Sequence, residues 1–515
     1  MTAEEPTEQI LREVKGLIDG LEKTIEKRAR GTGKGQQLGG SEMLVSAGDG
    51  GELDLKDSWL SAFALVVAIA AILIALQTNQ GTYSQRAMLP LLEAVVACAV
   101  AVARPRLRVL ERMGEKPVMV LLALVLFYQL PDVISTAADV LLTGHLVMPG
   151  AALFVLSILA ARSSSDPRRR FLPVVTLFLV IGAALILARP NPHIDVFVIQ
   201  QDSCRALLNR IDPYTITFPY LYGGDTRWAP PGAVSHGRFN VGFVYPPLTL
   251  LMALPGYLLA GDVRFADLAA LAGAAFLMVC CCPGRRSFLA ATLFLFNPTT
   301  FFILDMSYTD AFCILLLSAT VFAATRQRKL LPVGLGLFYV VKQHLILGCP
   351  VALLLVPRGT SFKGVARLIG CTILFGASVT APLALWHPRS FLNSAYIMQI
   401  HAPFRQDSVS FLAWWAHTRH VQPPSWIGFA AAVVSLGIAL WRCPRTASGF
   451  ATGLGFFYLM FFAFGRQAFT NYYTFILVAL LLAISTTNPD EPIVGEGTGQ
   501  DGSLQGERAG TAQDS

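Results

Sequence analysis

Residues 171–195 read FLPVVTLFLVIGAALILARPNPHID. No charged side chain falls between Phe171 and Ala188. The run follows directly on Arg168-Arg169-Arg170 and opens onto a polar segment whose first acid is Asp195. An apolar run of this length can satisfy its backbone polar groups within its own helix, which a bilayer demands because no water is present to do so. Basic residues before a span hold that end on the cytoplasmic side. The stretch 171–188 is therefore expected to exit the membrane, leaving residues 189–243 as a large external loop.

Similar apolar stretches extend outward from it in both directions: 58–76, 87–103, 117–134 and 146–161 before, and 244–260, 265–282, 288–304, 308–324, 330–356, 364–385, 425–441, 449–464 and 470–484 after. Several fall short of the ~20 residues a straight span needs, as fits helices that break around a cavity. Composition agrees. Of 515 residues, 54% are apolar and 14% charged, against roughly a quarter charged in soluble domains, and mean hydropathy is +0.55. The expected fold class is all-α: a polytopic transmembrane helix bundle with broken or half-length helices and one large external loop. The net charge of +7 is then a topology signal rather than a nucleic-acid footprint, so membrane lipid is an expected partner and nucleic acid is not.

Four regions follow. Residues 1–57 form a cytoplasmic tail, with no secretory signal ahead of the first span. In it Ile10, Leu11, Val14, Leu17, Ile18, Leu21 and Ile25 recur at helical spacing, which allows self-association through 8–28 or a solvated helix, before a Gly-rich linker at 31–51. Residues 58–170 hold four helices, 171–484 the main transmembrane core, and 485–515 a polar tail expected to be disordered. Of the nine cysteines only Cys204 falls in the large loop, so no disulfide framework is expected. Cys280-Cys281-Cys282 lacks histidines at ligand spacing, and no metal site is expected.

Topology leaves one conflict. Arg326, Arg328 and Lys329 belong on the same side as Arg168–Arg170, yet five apolar stretches separate them. Either 244–260, with Pro246, Pro247, Pro255 and Gly256, or 288–304, with Asn297-Pro298, must fail to cross fully. The stretch 330–356 is flanked by basic residues at both ends but reads Lys342-Gln343-His344 in its middle. It is expected to be a hairpin of two half-helices with that triplet at its tip, because ionisable groups at membrane depth need a polar cavity.

Polar residues then gather on one side: Asp195, Asp202, Asp212-Pro213-Tyr214 and Tyr245-Pro246-Pro247-Leu248 from the large loop, Asp305 and Asp310 from a second turn, Lys342 and His344 from the hairpin, and His387, His401, Arg405, Asp407, His417, Arg419 and His420 from 386–424. A carboxylate facing cations at a membrane surface suits one task. The carboxylate takes a proton from an attacking hydroxyl while the cations hold a departing phosphate. A single displacement of this kind inverts the reacting carbon. Asp195 is the candidate base, and Lys342, His344, Arg405, Asp310, Asp202 and Tyr245 are candidate substrate and phosphate ligands. Each has a plainer reading. Asp202, seven residues after Asp195, shares its helix face or simply faces water. Asp310 partners a buried cation, Lys342 snorkels to the interface, and Tyr245 with its prolines fixes the return of the chain into the bilayer.

The order Asp195, Asp212-Pro213-Tyr214, Tyr245-Pro246-Pro247-Leu248 and a later Lys342 resembles the GT-C superfamily of membrane glycosyltransferases, and within it the bacterial polyprenol-phosphate-mannose-dependent mannosyltransferases. A weaker likeness, through Arg405, Asp407, Ser408–Phe411 and Arg466–Tyr473, is to the mannosyltransferase of the GPI-anchor core. The resemblance covers roughly 171–484. It implies a GT-C-like core in a bacterial inner membrane with its active site external. It also implies Asp195 as base, and a sugar, mannose in these relatives, moved from a polyprenyl-phosphate donor to a lipid or glycan acceptor without a cofactor beyond that donor. The chain departs from the pattern in four places. Asn209-Arg210-Ile211 stands where a glycine usually precedes Asp-Pro-Tyr, Met306-Ser307-Tyr308 replaces the usual turn, Gly223–Gly242 is an insertion, and four helices precede the core. A secondary transporter or lipid flippase also carries broken helices and midplane charges, although no internal repeat relates two halves here. A catalytically inactive relative is the third reading.

Overall fold

Helix starts are placed by side chains that satisfy the first free amides. Ser58 accepts from Ser61 N at 3.1 Å, Ser361 from Gly364 N at 3.2 Å, Ser410 from Ala413 N at 3.1 Å and Thr446 from Gly449 N at 3.0 Å. The computed structural model describes residues 58–487, apart from 105–106, 144–145, 165, 167, 226 and 228 and the side chain of Arg108. The repeat and linker expected in 1–57, and the tail beyond 487, lie outside the described residues.

The described chain is a helical bundle. A hairpin of α1 (Trp59–Gln77) and α2 (Met88–Ala103) is followed by the short α3 (Arg108–Met113), then α4 (Lys116–Thr143) and α5 (Val147–Arg162). α6 (Leu172–Ala188) leads to α7 (Asp195–Leu208) and a small antiparallel sheet of β1 (Phe218–Pro219), β2 (Val234–Ser235) and β3 (Arg238–Phe239), ordered β1-β3-β2. Next come α8 (Pro247–Ala260), α9 (Arg264–Cys281), α10 (Arg285–Leu295), α11 (Pro298–Asp305), α12 (Asp310–Arg326), α13 (Leu331–Val340), a 3₁₀ segment (Gln343–Leu355) and α14 (Phe362–Ala384). The connection after α14 carries α15 (Pro388–Leu392), α16 (Met398–Ile400) and α17 (Phe411–Arg419). Finally α18 (Trp426–Arg442), α19 (Ala447–Ala463) and α20 (Thr470–Thr486) close the bundle.

Six helical stretches are long and apolar enough to cross a membrane, or seven with the bent pair α10–α11. This is an all-α membrane protein. α5, α8, the 3₁₀ segment, α18, α19 and α20 are apolar but shorter, so apolar stretches outnumber full-length spans. The expected loop 189–243 is not mere loop, since it holds α7, on which Cys204 is buried, and the sheet. Residues 485 and 486, read as the start of the polar tail, complete α20.

Side-chain contacts sort the bundle into two ends. At one, Arg286 lies over the Trp59 ring at 4.9 Å, meets Glu115 at 3.3 Å and donates to Thr487 O at 2.6 Å, while Arg326 donates to Cys281 O at 2.7 Å. At the other, Arg189 pairs with Asp305, and the fully buried Arg264 holds Asp262 at 2.6 Å and lies 5.1 Å from the Phe197 ring.

These contacts resolve the parity conflict. Both ends of α8 sit at the second end of the bundle: Thr249 bonds to Val341 O beside its start, and Gln201 donates to Gly261 O at 2.5 Å just past its finish. Its 14 residues measure about 21 Å, short of the ~30 Å hydrocarbon thickness. Thus 244–260 is the stretch that does not traverse. The other candidate does, bending by 49° between α10 and α11. Asn297 repairs that bend. Its carbonyl accepts from Thr299 N at 3.0 Å and Thr300 N at 3.2 Å, and its amide donates to Leu293 O at 2.9 Å and Phe294 O at 2.8 Å. Those are the groups a proline-broken helix leaves free.

The hairpin expected at 330–356 is present. Arg328, before α13, donates to Leu355 O at 3.0 Å, so the chain returns to its starting end after turning at Lys342. The return arm is a 13-residue 3₁₀ helix. With a rise of about 2 Å per residue it reaches about as far as the 17-residue α12 does at about 1.5 Å.

Candidate active site

Asp195 is the first residue of α7 and follows Ile194 in extended conformation. A carboxylate in a first helical turn meets the positive end of the helix dipole, and Val196 N donates to Asp195 Oδ1 at 2.9 Å. The side chain forms part of a cavity of about 710 Å³, whose lining also includes Lys342, Arg405 and Arg466. Burial pushes the Asp195 carboxyl above the usual carboxylate range. The Tyr222 hydroxyl, the Val196 amide and the Arg405 charge offset only part of that rise.

The hairpin tip lines the same cavity. Lys342 is extended between α13 and the 3₁₀ segment, and its Nζ donates to Asp310 Oδ2 at 2.6 Å. Asn471, at the start of α20, donates to the same oxygen at 2.8 Å, and the Tyr472 ring lies 5.1 Å from the ammonium. An ammonium has three protons and one of them is committed to Asp310. Gln343 donates to Val244 O at 2.5 Å and Ala395 O at 2.7 Å, tying the tip to both neighbouring connections. His344 sits edge-on to Tyr458, Phe462 and Tyr472, with ring centroids 5.8, 5.4 and 5.5 Å away.

The third side is a strap. Arg405 N donates to Arg466 O at 3.1 Å and Val409 N to Ala468 O at 2.8 Å, joining 405–409 to the turn before α20. The Arg405 guanidinium forms a two-point pair with Asp407, at 2.8 and 2.7 Å, and stacks 4.7 Å from Phe469. Tyr245 also lines the cavity, within electrostatic reach of both Asp195 and Asp310, and its carbonyl accepts from Tyr214 Oη at 2.9 Å.

Asp195, Tyr245, Lys342, His344 and Arg405 therefore share one cavity. Two other candidates do not line it. Asp202 is on the face expected, but two helical turns separate it from Asp195 by about 10 Å, beyond the rim, where it pairs with Arg205 at 3.0 Å. Asp310 is buried behind Lys342 as its counter-ion. Asp212, part of the loop motif, also stands outside. Its Oδ1 accepts from Tyr214 N at 2.8 Å and its Oδ2 meets His387 Nδ1 at 2.6 Å, pinning the large loop to the segment after α14. Four contributors are absent from the candidate residues read from sequence: Tyr222, and Arg466, Asn471 and Tyr472 of the Arg466–Tyr473 turn that carries the weaker family likeness. Asn471 had a signal, an amide opening an apolar run, whereas nothing local distinguishes Tyr222. Among the described residues no group of three or more His, Cys, Asp or Glu could hold a metal ion.

No family model, curated protein or solved structure matches the chain.

Proposed function

We propose that this protein is a membrane glycosyltransferase of the GT-C type, moving a sugar from a polyprenyl-phosphate donor to an acceptor hydroxyl by a single inverting displacement. One observation carries the reading: a single cavity is lined by Asp195, made more basic by burial, together with Lys342, Arg405 and Arg466. Asp195 accepts the proton of the acceptor hydroxyl as the oxygen attacks the anomeric carbon. The carbon–phosphate oxygen bond breaks, and the departing phosphate, a weak base that needs no proton, is held by the Lys342 ammonium and the arginines. Tyr222 orients the carboxylate, and Asp310 with Asn471 orients Lys342. Mannose is the sugar to try first, on the resemblance to mannosyltransferases, and the site end of the bundle is assigned to the external face of the membrane.

The test is transfer of radiolabelled mannose from polyprenyl-phosphate mannose in membranes carrying the protein. Asp195→Asn keeps shape and removes the base, and should lower transfer by about 10²–10⁴-fold. Near wild-type transfer by a folded Asn variant would overturn the assignment.

A further inference from the structure

A second chamber, of about 560 Å³, adjoins the cavity at the same end of the bundle. It is lined by Asn79, Thr82 and Tyr83 from the turn between α1 and α2, and by Phe404, Gln406, Asp407 and His417 from the strap and α17, with Arg227 at its edge. Its architecture is specific. The Tyr83 and His417 rings stack at 4.2 Å and 14°. Tyr83 N donates to Asp407 O at 2.8 Å, and His417 Nε2 is bonded to Gln406 O at 3.1 Å. Asn79 donates to Thr82 Oγ1 at 2.8 Å and to Tyr83 O at 2.9 Å, which fixes the turn. Gly81 lets the turn approach: a Cβ there would lie 1.7 Å from Thr470 Oγ1, next to Asn471.

Asp407 links the two chambers. It lines the second, while its carboxylate holds Arg405, which lines the first. The two chambers are thus neighbours across one ion pair. The lining of the second combines aromatic ring surface with amide, hydroxyl, imidazole and carboxylate groups. Arg227 is engaged with Asp225 through two bonds, at 2.9 and 2.8 Å. Such a surface offers no cluster of cations for a phosphate. It fits a neutral polyol, whose C–H face packs on a ring and whose hydroxyls bond to the surrounding polar groups.

We infer that this chamber is a saccharide-binding subsite, with three of its eight lining residues supplied by the turn of the α1–α2 hairpin, that seats the acceptor glycan with its reacting end toward Asp195. The inference rests on the glycosyltransferase reading for the word acceptor, but the binding of saccharide can be measured without turnover. The hairpin that precedes the core thereby has a role: it supplies Asn79, Thr82 and Tyr83 to the subsite and buttresses the strap that carries Arg405.

The experiment uses the full chain in detergent and saturation-transfer NMR, with α-linked mannotriose and mannotetraose as probes and maltotriose for comparison. Wild type is expected to transfer saturation to at least one of these saccharides. Tyr83→Ala, whose backbone bond to Asp407 is unaffected, should weaken that binding at least about tenfold, Tyr83→Phe should retain it, and His417→Ala on the exposed side should weaken it independently. Absence of saturation transfer to all three saccharides, or unchanged binding in both Tyr83→Ala and His417→Ala, would overturn the subsite. Sugar transfer by Asp195→Asn would instead sink the catalytic reading while leaving the binding result standing.

Discussion

Asp195 and Lys342 are held by opposite physical means. Asp195 is kept basic by burial with incomplete compensation. The folded chain therefore binds its proton more tightly than the unfolded chain does. The stability this contributes is full below the ordinary carboxylate value of about 4 and is lost as pH rises through the folded value. At neutral pH the ionised Asp195 costs stability, so Asp195→Asn should raise the melting temperature at pH 7.5, with the gain shrinking toward pH 4. Transfer activity of the wild type should fall on acidification at a pH above 4. An equal melting temperature for the two proteins across that range would contradict the burial argument. Lys342 is instead matched to Asp310, whose side chain is 1% exposed. Removing one partner strands a buried charge, at a cost of about 3–5 kcal/mol. Lys342→Met should strongly lower the melting temperature in detergent. Lys342→Met combined with Asp310→Asn should recover most of the stability and none of the activity, which separates the structural pair from the proposed phosphate contact.

At the scale of elements, the hairpin α13–3₁₀ is the part that brings a lysine to the cavity. It is held by buried apolar side chains, among them Leu335, Phe338, Leu345 and Leu354, and by close backbone approach to α14. A Cβ on Gly336 would lie 2.5 Å from Thr372 O and 3.1 Å from Gly376 N of α14. Small residues at such crossings let helices meet where lipid offers no hydrophobic drive. Gly336→Ala is therefore expected to cost about 1–3 kcal/mol through overpacking and to reduce transfer by shifting the tip. Gly370→Ala, on α14 where a Cβ meets open space, should be neutral or slightly stabilising by the same thermal measurement.

For the whole molecule, the two ends defined by side-chain contacts make a topological prediction. Ser235 on β2 belongs to the site end, and Lys363 at the start of α14 to the opposite one. In a cysteine-free background, Ser235→Cys should react with an impermeant maleimide added to intact cells, and Lys363→Cys only after the membrane is opened. The reverse labelling would place the cavity on the cytoplasmic side and rule out an external acceptor.

Hydropathy and basic runs by themselves determined that this chain is a helical membrane bundle, because a bilayer penalises unpaired backbone groups so heavily that apolar length alone is decisive. The hairpin at Lys342 was legible for the same reason: a charged triplet inside an apolar run flanked by basic ends admits few solutions. Asp195 stood out as the first acid after a span. Only tertiary structure decided that 244–260 rather than 288–304 stops short, since both carry prolines and the difference lies in which carbonyls find donors at each end. It also decided that Asp310 is a counter-ion and that Asp202 lies beyond the rim, and it brought Tyr222, Asn471 and the α1–α2 turn to the site. Those assignments depend on distances between segments far apart in the chain, and no local pattern of charge or periodicity encodes them.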